Sequence, residues 1–244
     1  MVYDHHTHTT YSHGKGSIED NVKAAVSKGL RSIAITDHGP GHMTYGIDRA
    51  KIPQMRAEIA ALKKKYPQIE ILLGVEANTL RIEPFLDVAA EERPDYDILL
   101  AGYHYGVRHA GMIPNYVYKH TGLLRGENSS LLVKNTAMIL DCLYYNEEHG
   151  NHIDILTHPG DKAPFDIEDI VKACADTGTL VEINDKHAHL TVEEIKIAAG
   201  YDVKFVIGSD AHVPEKVGSF EGPLARALEA GLDPERIVNI EKID

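Results

Sequence analysis

Apolar runs in this chain end, one after another, in residues that bind metal ions. Val2-Tyr3-Asp4-His5-His6-Thr7-His8 opens it, and Ser32-Ile33-Ala34-Ile35-Thr36-Asp37-His38 follows. Ile71-Leu72-Leu73-Gly74-Val75-Glu76 and Ile98-Leu99-Leu100-Ala101-Gly102-Tyr103-His104 come next. Later are Ile153-Asp154-Ile155-Leu156-Thr157-His158 and Val203-Lys204-Phe205-Val206-Ile207-Gly208-Ser209-Asp210-Ala211-His212. Imidazole and carboxylate donors without thiolates suit zinc, manganese or iron better than magnesium or calcium. Clustered cations of this kind polarise phosphoryl or carbonyl oxygens and acidify water, which is hydrolytic chemistry.

Strand geometry sorts the candidates, because side chains alternate faces with a period of two. His6 and His8 share a face, with Asp4 expected on it too, and His5 points away. Asp210 and His212 pair in the same way. His13 lies just past the first run, where Gly14 and Gly16 let the backbone turn sharply. The candidate ligands are therefore His6, His8, His13, His38, Glu76, His104, His158, Asp210 and His212. One tetrahedral zinc takes about four donors, so this set suits two or three ions. His42, His109, His120, His149, His152, His187 and His189 lack strand-end placement and are read as structural or surface residues, although His187 and His189 fall near the mouth.

The elements that must position these residues alternate. Apolar runs of this length read as buried parallel strands. Seven are expected, ending near His8, His38, Glu76, His104, His158, Asn184 and Asp210. Helices are predicted over residues 17–29, 52–66, 84–92, 129–149, 166–177, 191–199 and 221–230. Ser17 with Asp20 and Thr191 with Glu194 have the capping-box spacing, and Gly29 suits a helix terminus. Strand–helix alternation with right-handed crossovers leaves a closed barrel or an open doubly wound sheet. Ligands at the end of nearly every strand favour the barrel, since an open sheet gathers its ligands at one switch point. Residues 105–128 break the rhythm and are read as a loop covering the substrate.

At 244 residues the chain fits a single catalytic domain over residues 1–244, large enough to bury a full core. A formal net charge of −12 disfavours a nucleic-acid surface, which needs a basic patch. Cys142 and Cys174 are too few for a disulfide framework and read as buried apolar residues. No run reaches membrane-spanning length and the start does not read as a signal peptide, so a cytoplasmic enzyme without membrane contacts is expected. There is no Gly-x-Ser-x-Gly elbow and no P-loop, which excludes serine hydrolase and NTPase readings.

In order along the chain, Asp4-x-His6-x-His8-Thr9, Thr36-Asp37-His38-Gly39, Gly74-Val75-Glu76-Ala77-Asn78, Ala101-Gly102-Tyr103-His104, Thr157-His158-Pro159-Gly160, Glu182-Ile183-Asn184 and Gly208-Ser209-Asp210-Ala211-His212 resemble the signatures of the PHP (polymerase and histidinol phosphatase) family. The resemblance runs nearly end to end. It implies an α/β fold, a distorted (β/α)7 TIM-like barrel, around a trinuclear metal centre of zinc, manganese or iron. By that resemblance His6, His8, Glu76 and Asp210 hold a first ion, Glu76, His104 and His158 a second with Glu76 bridging, and His13, His38 and His212 a third. Many relatives have Asp where His13 stands, and histidine there is similar to the bacterial phosphatase branch.

The expected activity is hydrolysis of a small phosphomonoester by a hydroxide bridging the first two ions, with a histidinol phosphatase as the best-known precedent. Glu76 and Asp210 are the expected catalytic carboxylates, and Asp37, beside His38, is expected to orient a ligand. Arg81 and Arg108 are expected to grip phosphate through their planar forks. Competing readings are a nuclease or phosphodiesterase, a non-catalytic metal-binding domain, and an amidohydrolase-like barrel. The acidic charge, the full ligand set and the lack of a strand-end lysine for carbamylation count against these in turn. The expected partner is a small phosphorylated metabolite.

Overall fold

A computed structural model describes residues 2–121 and 130–241. Seven short strands form it: β1 (Tyr3–Asp4), β2 (Ser32–Ile35), β3 (Glu70–Asn78), β4 (Ile98–Gly102), β5 (Ile155–Leu156), β6 (Leu180–Asn184) and β7 (Phe205–Gly208). They lie in chain order, each parallel to the next. The sheet curls into a nearly closed barrel. Its last seam is joined above the strands, where Thr7 pairs with Ala211 and His8 N–H donates to Ala211 O at 2.8 Å. Lower down, the Asn239 side chain donates to Tyr3 O at 3.0 Å and Ile207 O at 2.8 Å, and so bridges β1 and β7 where they do not pair directly.

The helices are α1 (Ile18–Ser27), α2 (Ile52–Lys65), α3 (Met112–Thr121), α4 (Ser130–Glu148), α5 (Ile167–Thr177), α6 (Val192–Ala199) and α7 (Glu221–Glu229). The capping boxes at Ser17 and Thr191 form as their spacing predicts. Two expectations fail. Residues 84–92 do not make an α-helix; the segment folds back on the end of β3, with Leu80 N–H donating to Phe85 O at 2.8 Å, and only a 3₁₀ turn follows at Ala90–Asp95. Residues 105–128 are not loop throughout, because α3 occupies their centre; residues 122–128, and Ser129 of the expected helix 129–149, lie outside the described residues. The inward face of α3 is polar: Asn115 donates to Tyr103 Oη at 2.9 Å, and Lys119, one turn on, pairs with Asp161 at 2.7 Å. Such a helix shows no apolar stripe.

Alternation along each strand builds the barrel interior in layers. Ala34, Ile98, Leu100, Ile155 and Val206 form an apolar plug at the base. Two residues further along the same faces, Leu72 gives way to Gly74 and Glu76, Leu180 to Glu182, and Val206 to Gly208 and Asp210. The opposite faces carry Ile33, Leu73, Leu99, Val181 and Ile207 into the main core beneath the helices. Among the described residues no helix is long and apolar enough to cross a membrane.

His5 sits at the barrel base, stacked on Tyr3 and bonded through Nε2 to Ser32 Oγ at 2.9 Å. Burial pushes its imidazole down to about 4. The folded state therefore refuses a proton that the unfolded chain accepts near pH 6.5, and stability falls as the pH drops below that value. In denaturant titrations, His5→Phe is expected to remove roughly 2 kcal/mol of the stability lost between about pH 7.5 and about pH 5. Equal pH dependence in variant and wild type would remove His5 from this account.

Candidate metal centre

The ends of six strands and the turns after them converge on Glu76, which is fully buried on β3. His158 Nε2 lies 2.8 Å from its Oε1, and His6 and His104 lie 3.3 Å from the same oxygen. His38 Nδ1 lies 3.0 Å and His8 Nε2 3.6 Å from Oε2. Asp210 adds a second carboxylate, 3.2 Å from His8 and from His212 and 3.8 Å from His6. Four groups of three residues place ligand atoms within 4.8 Å of one another: His6–His8–Glu76, His6–His158–Asp210, His38–Glu76–His104 and His8–His38–His212. Eight of the nine expected ligands thus share one continuous cluster. His13 lies beside it, its ring stacked 4.8 Å from His38 and edge-on 4.1 Å from His212.

Glycines below the cluster make the space. A side chain at Gly208 would run into the carboxylate of Glu182, and one at Gly102 into the Thr157 hydroxyl beside Glu76. His158 and Asp210 adopt positive φ angles of 30° and 51°, which non-glycine residues hold only where surrounding structure imposes it. Both are candidate ligands.

Residues around the cluster fix its rings. A carboxylate only accepts, so His6 Nδ1 donates to Glu182 Oε1 at 2.6 Å, which turns Nε2 toward Glu76 and Asp210. His104 Nδ1 pairs with Asn78 Oδ1 at 2.8 Å, which presents Nε2 to Glu76. The Thr157 hydroxyl donates to Glu76 at 2.8 Å. Glu182 and Asn78 were not singled out as site residues by sequence reasoning; the available signal was a carboxylate inside the apolar run Leu180-Val181-Glu182-Ile183.

The electrostatics suit cations. Burial raises the cost of charge on every member. It pushes His8 and His104 well below the usual imidazole range, with His38 adding to it at His8 and Glu76 opposing it at His104. Burial also lowers His158. At His6 burial acts downward, but the carboxylates of Glu182, Glu76 and Asp210 outweigh it and hold the group well above its ordinary value. Burial alone would raise both cluster carboxylates; instead His104 and His6 hold Glu76, and His6 and His187 hold Asp210, well below the carboxylate range. Several buried polar atoms have no hydrogen-bond partner: His6 Nε2, both ring nitrogens of His8, His13 Nδ1, His38 Nδ1 and Glu76 Oε2. Buried polar atoms are normally satisfied, and of these His6 Nε2, His8 Nε2 and His38 Nδ1 face the Glu76 carboxylate at 3.3, 3.6 and 3.0 Å. Imidazoles held below their usual range at His8, His104 and His158, around ionised carboxylates, form a donor set that divalent cations take up, and a cation at His6 would displace its extra proton.

Above the cluster opens a cavity of about 330 Å³, walled by His42, Tyr45, Tyr105, Lys162, Lys186 and His187. His187, expected near the mouth, bridges Asp161 and Asp210 at 3.2 Å each, and His42, whose position in sequence gives no such indication, stacks on Tyr45; both line the cavity. Neither Arg81 nor Arg108 is among the lining residues. Arg81 is spent on Asn135 at 2.7 Å and Arg108 is exposed; the cations at the cavity are lysines. Asp4 does not share the face of His6: its carboxylate accepts from Ser209 Oγ and from Gly218 N–H at 2.8 Å. The carboxylate of Asp37 does not orient a ring either. It accepts from Thr9 N–H at 2.7 Å and from the hydroxyls of Thr9 and Ser12 at 2.6 Å, anchoring the turn that carries His13.

A parallel barrel with a histidine–carboxylate cluster at the carboxyl ends of its strands defines the class of metal-dependent hydrolases. Comparison with known proteins places the chain within that class. The PHP domain matches residues 4–186. A protein of Thermoanaerobacter sp. (strain X514) named "probable phosphatase" is 30% identical over 256 residues, covering 99% of this chain and 91% of that protein. A "probable phosphatase" of Shewanella halifaxensis is 30% identical over 253 residues, covering 98% and 88%. Among solved structures, histidinol phosphate phosphatase from Lactococcus lactis, complexed with zinc, L-histidinol and phosphate, superposes with a TM-score of 0.61 at 15% identity, covering 95% and 94%. The chain belongs to the PHP domain family, and it is a metal-dependent phosphatase of that family.

Proposed function

We propose that this chain hydrolyses a small phosphomonoester at a centre of three divalent cations, zinc, manganese or iron. The observation that carries the reading is the set of unpartnered, buried imidazole and carboxylate atoms facing one another on the floor of an open cavity. His6, His8, Glu76 and Asp210 would hold one cation, Glu76, His104 and His158 a second, and His13, His38 and His212 a third. When bound, such ions polarise phosphoryl oxygens and acidify the water that attacks phosphorus.

The chain's own residues prepare that chemistry. Glu182 and Asn78 fix which nitrogens of His6 and His104 face the centre. Preset donors avoid reorganisation during reaction. Asp37 holds the His13 turn in place. Lys162, on the cavity wall and 3.2 Å from Asp161, is the cation placed to pair with the substrate phosphate. Tyr45, Tyr105 and His42 surround the leaving group with ring faces and limit its size. A cavity of about 330 Å³ is at the small end for ligand sites, which favours a metabolite over a polymer. The histidinol complex of the Lactococcus structure supports an amino alcohol phosphate as one candidate.

The test measures metal content per chain by mass spectrometry and phosphate release from p-nitrophenyl phosphate on one sample. About two to three equivalents and activity lost on chelation are expected. Activity confined to bis-p-nitrophenyl phosphate or oligonucleotides would replace this reading with a phosphodiesterase. A metal-loaded protein inert on every ester would replace it with a binding domain.

A further inference from the structure

A carboxylate outside the donor cluster is tied to two of its imidazoles. Asp87 lies on the segment that folds back on the end of β3, where its N–H donates to Asn78 O at 3.2 Å. Its side chain gathers three N–H donors. Oδ1 accepts from Asn78 N–H at 2.6 Å, and Oδ2 accepts from Gly41 N–H at 2.7 Å and from the side-chain amide of Asn78. The packing there is close: a side chain at Gly39 or Gly41 would run into this carboxylate.

These contacts decide where a proton sits two groups away. Asn78 is fully buried, and its Nδ2 faces Asp87 Oδ2 and, at 3.2 Å, Gly39 O. A carboxylate and a carbonyl oxygen only accept, so the nitrogen of the amide must be the end that faces them. Asn78 Oδ1 is thereby turned to His104 Nδ1 at 2.8 Å. That oxygen also only accepts, so Nδ1 carries the imidazole proton. Nε2, 3.3 Å from Glu76, keeps its electron pair for a cation. With the amide reversed, its N–H₂ group would meet Nδ1, the proton would move to Nε2, and that electron pair would be lost to the centre.

The same carboxylate holds the turn after His38. Gly39 N–H donates to Glu76 O at 2.8 Å, Gly39 O accepts from Asn78, and Gly41 is tied to Asp87. His38 and His104 are the two imidazoles of the donor group His38–Glu76–His104. We propose that Asp87 is a positioning residue for this group: through Asn78 it selects the His104 nitrogen offered to a cation, and through Gly41 it holds the turn that presents His38. This rests on the metal-centre reading above and extends it to a residue that acts only through its neighbours. Partners behind a metal-binding imidazole set its tautomer and its affinity in this way.

The test takes two readouts on wild type, Asp87→Ala and Asp87→Asn. In the metal-free, full-length protein, nuclear magnetic resonance shifts of the His104 ring nitrogens, assigned by their loss in His104→Gln, show which nitrogen is protonated. Wild type is expected in the Nδ1–H form, and Asp87→Ala is expected to populate the Nε2–H form. The free zinc needed for half-maximal phosphate release from p-nitrophenyl phosphate should rise about tenfold in Asp87→Ala, with turnover near wild type once saturated. Asp87→Asn keeps the volume but offers one oxygen to three donors, so it should move both readouts the same way by less, and it carries the test if Asp87→Ala does not fold. A His104 tautomer unchanged in the folded variants overturns the proposal, and so does a changed tautomer with an unchanged zinc requirement. Wild type that zinc does not activate at all would instead sink the metal-centre reading, whatever the tautomer shows.

Discussion

Glu76→Gln is expected to lower phosphate release by at least about 1,000-fold and to reduce the bound metal by about one equivalent or more. Five imidazoles lie within 3.6 Å of this one carboxylate. Both of its oxygens are used, Oε1 toward His6, His104 and His158, and Oε2 toward His8 and His38. Glutamine fills the same volume but offers one weak acceptor and one N–H₂ donor. The donor would point at imidazole nitrogens or at a cation, and the negative charge that lets neighbouring ions approach each other would be gone. The residue lies on the longest strand of the barrel, so the variant should fold. Metal content and activity, measured on one preparation with its far-ultraviolet spectrum, check this. A variant that keeps its metal and loses less than about tenfold in rate would remove Glu76 from the centre of the mechanism.

How much of this could be read from the sequence depends on which residues speak locally. Strand-end placement is a local signal: an apolar run followed by His or a carboxylate marks both a strand and the face its last residue presents. Seven strands in chain order and the capping boxes at Ser17 and Thr191 followed from such signals. Contacts between distant segments had no such marker. Alternation predicts Asp4 beside His6, but the Asp4 carboxylate is held by Ser209 and Gly218 across the seam. Asp37 was read from its neighbour His38, whereas its partners are Thr9 and Ser12. Arg81 and Arg108 lie close in sequence to Glu76 and His104, but proximity along a chain leaving a strand says little about direction. Lys162, Lys186 and His187 surround the cavity because turns after β5 and β6 fold over it. The helix α3 is not legible in the sequence because its one buried position, Asn115, is polar, and the helix is tied down by polar contacts from Asn115 to Tyr103 and from the exposed Lys119 to Asp161.

Glu182 shows what such a reading misses and offers the second large effect. Its Oε1 accepts from His6 Nδ1 at 2.6 Å, and its Oε2 accepts from His158 N–H and from Asn184 Nδ2 at 2.9 Å each. One fully buried carboxylate thereby orients two candidate ligands on opposite sides of the barrel. In Glu182→Gln neither orientation of the amide works. With its oxygen toward His6, the N–H₂ group meets the two donors of His158 and Asn184; reversed, it meets the His6 N–H and forces the ring into its other tautomer. Removing a partner of this kind from a metal-binding histidine costs about 10–100-fold in metal affinity. Glu182→Gln is therefore expected to need about 10–100-fold more free zinc for half-maximal activity, and to approach wild-type turnover once saturated. That separation distinguishes a positioning role from direct participation. A variant whose zinc requirement is unchanged while its saturated turnover collapses would place Glu182 among the reacting groups, and one unchanged in both would mean that the ring of His6 is held by its backbone and by Glu76 alone.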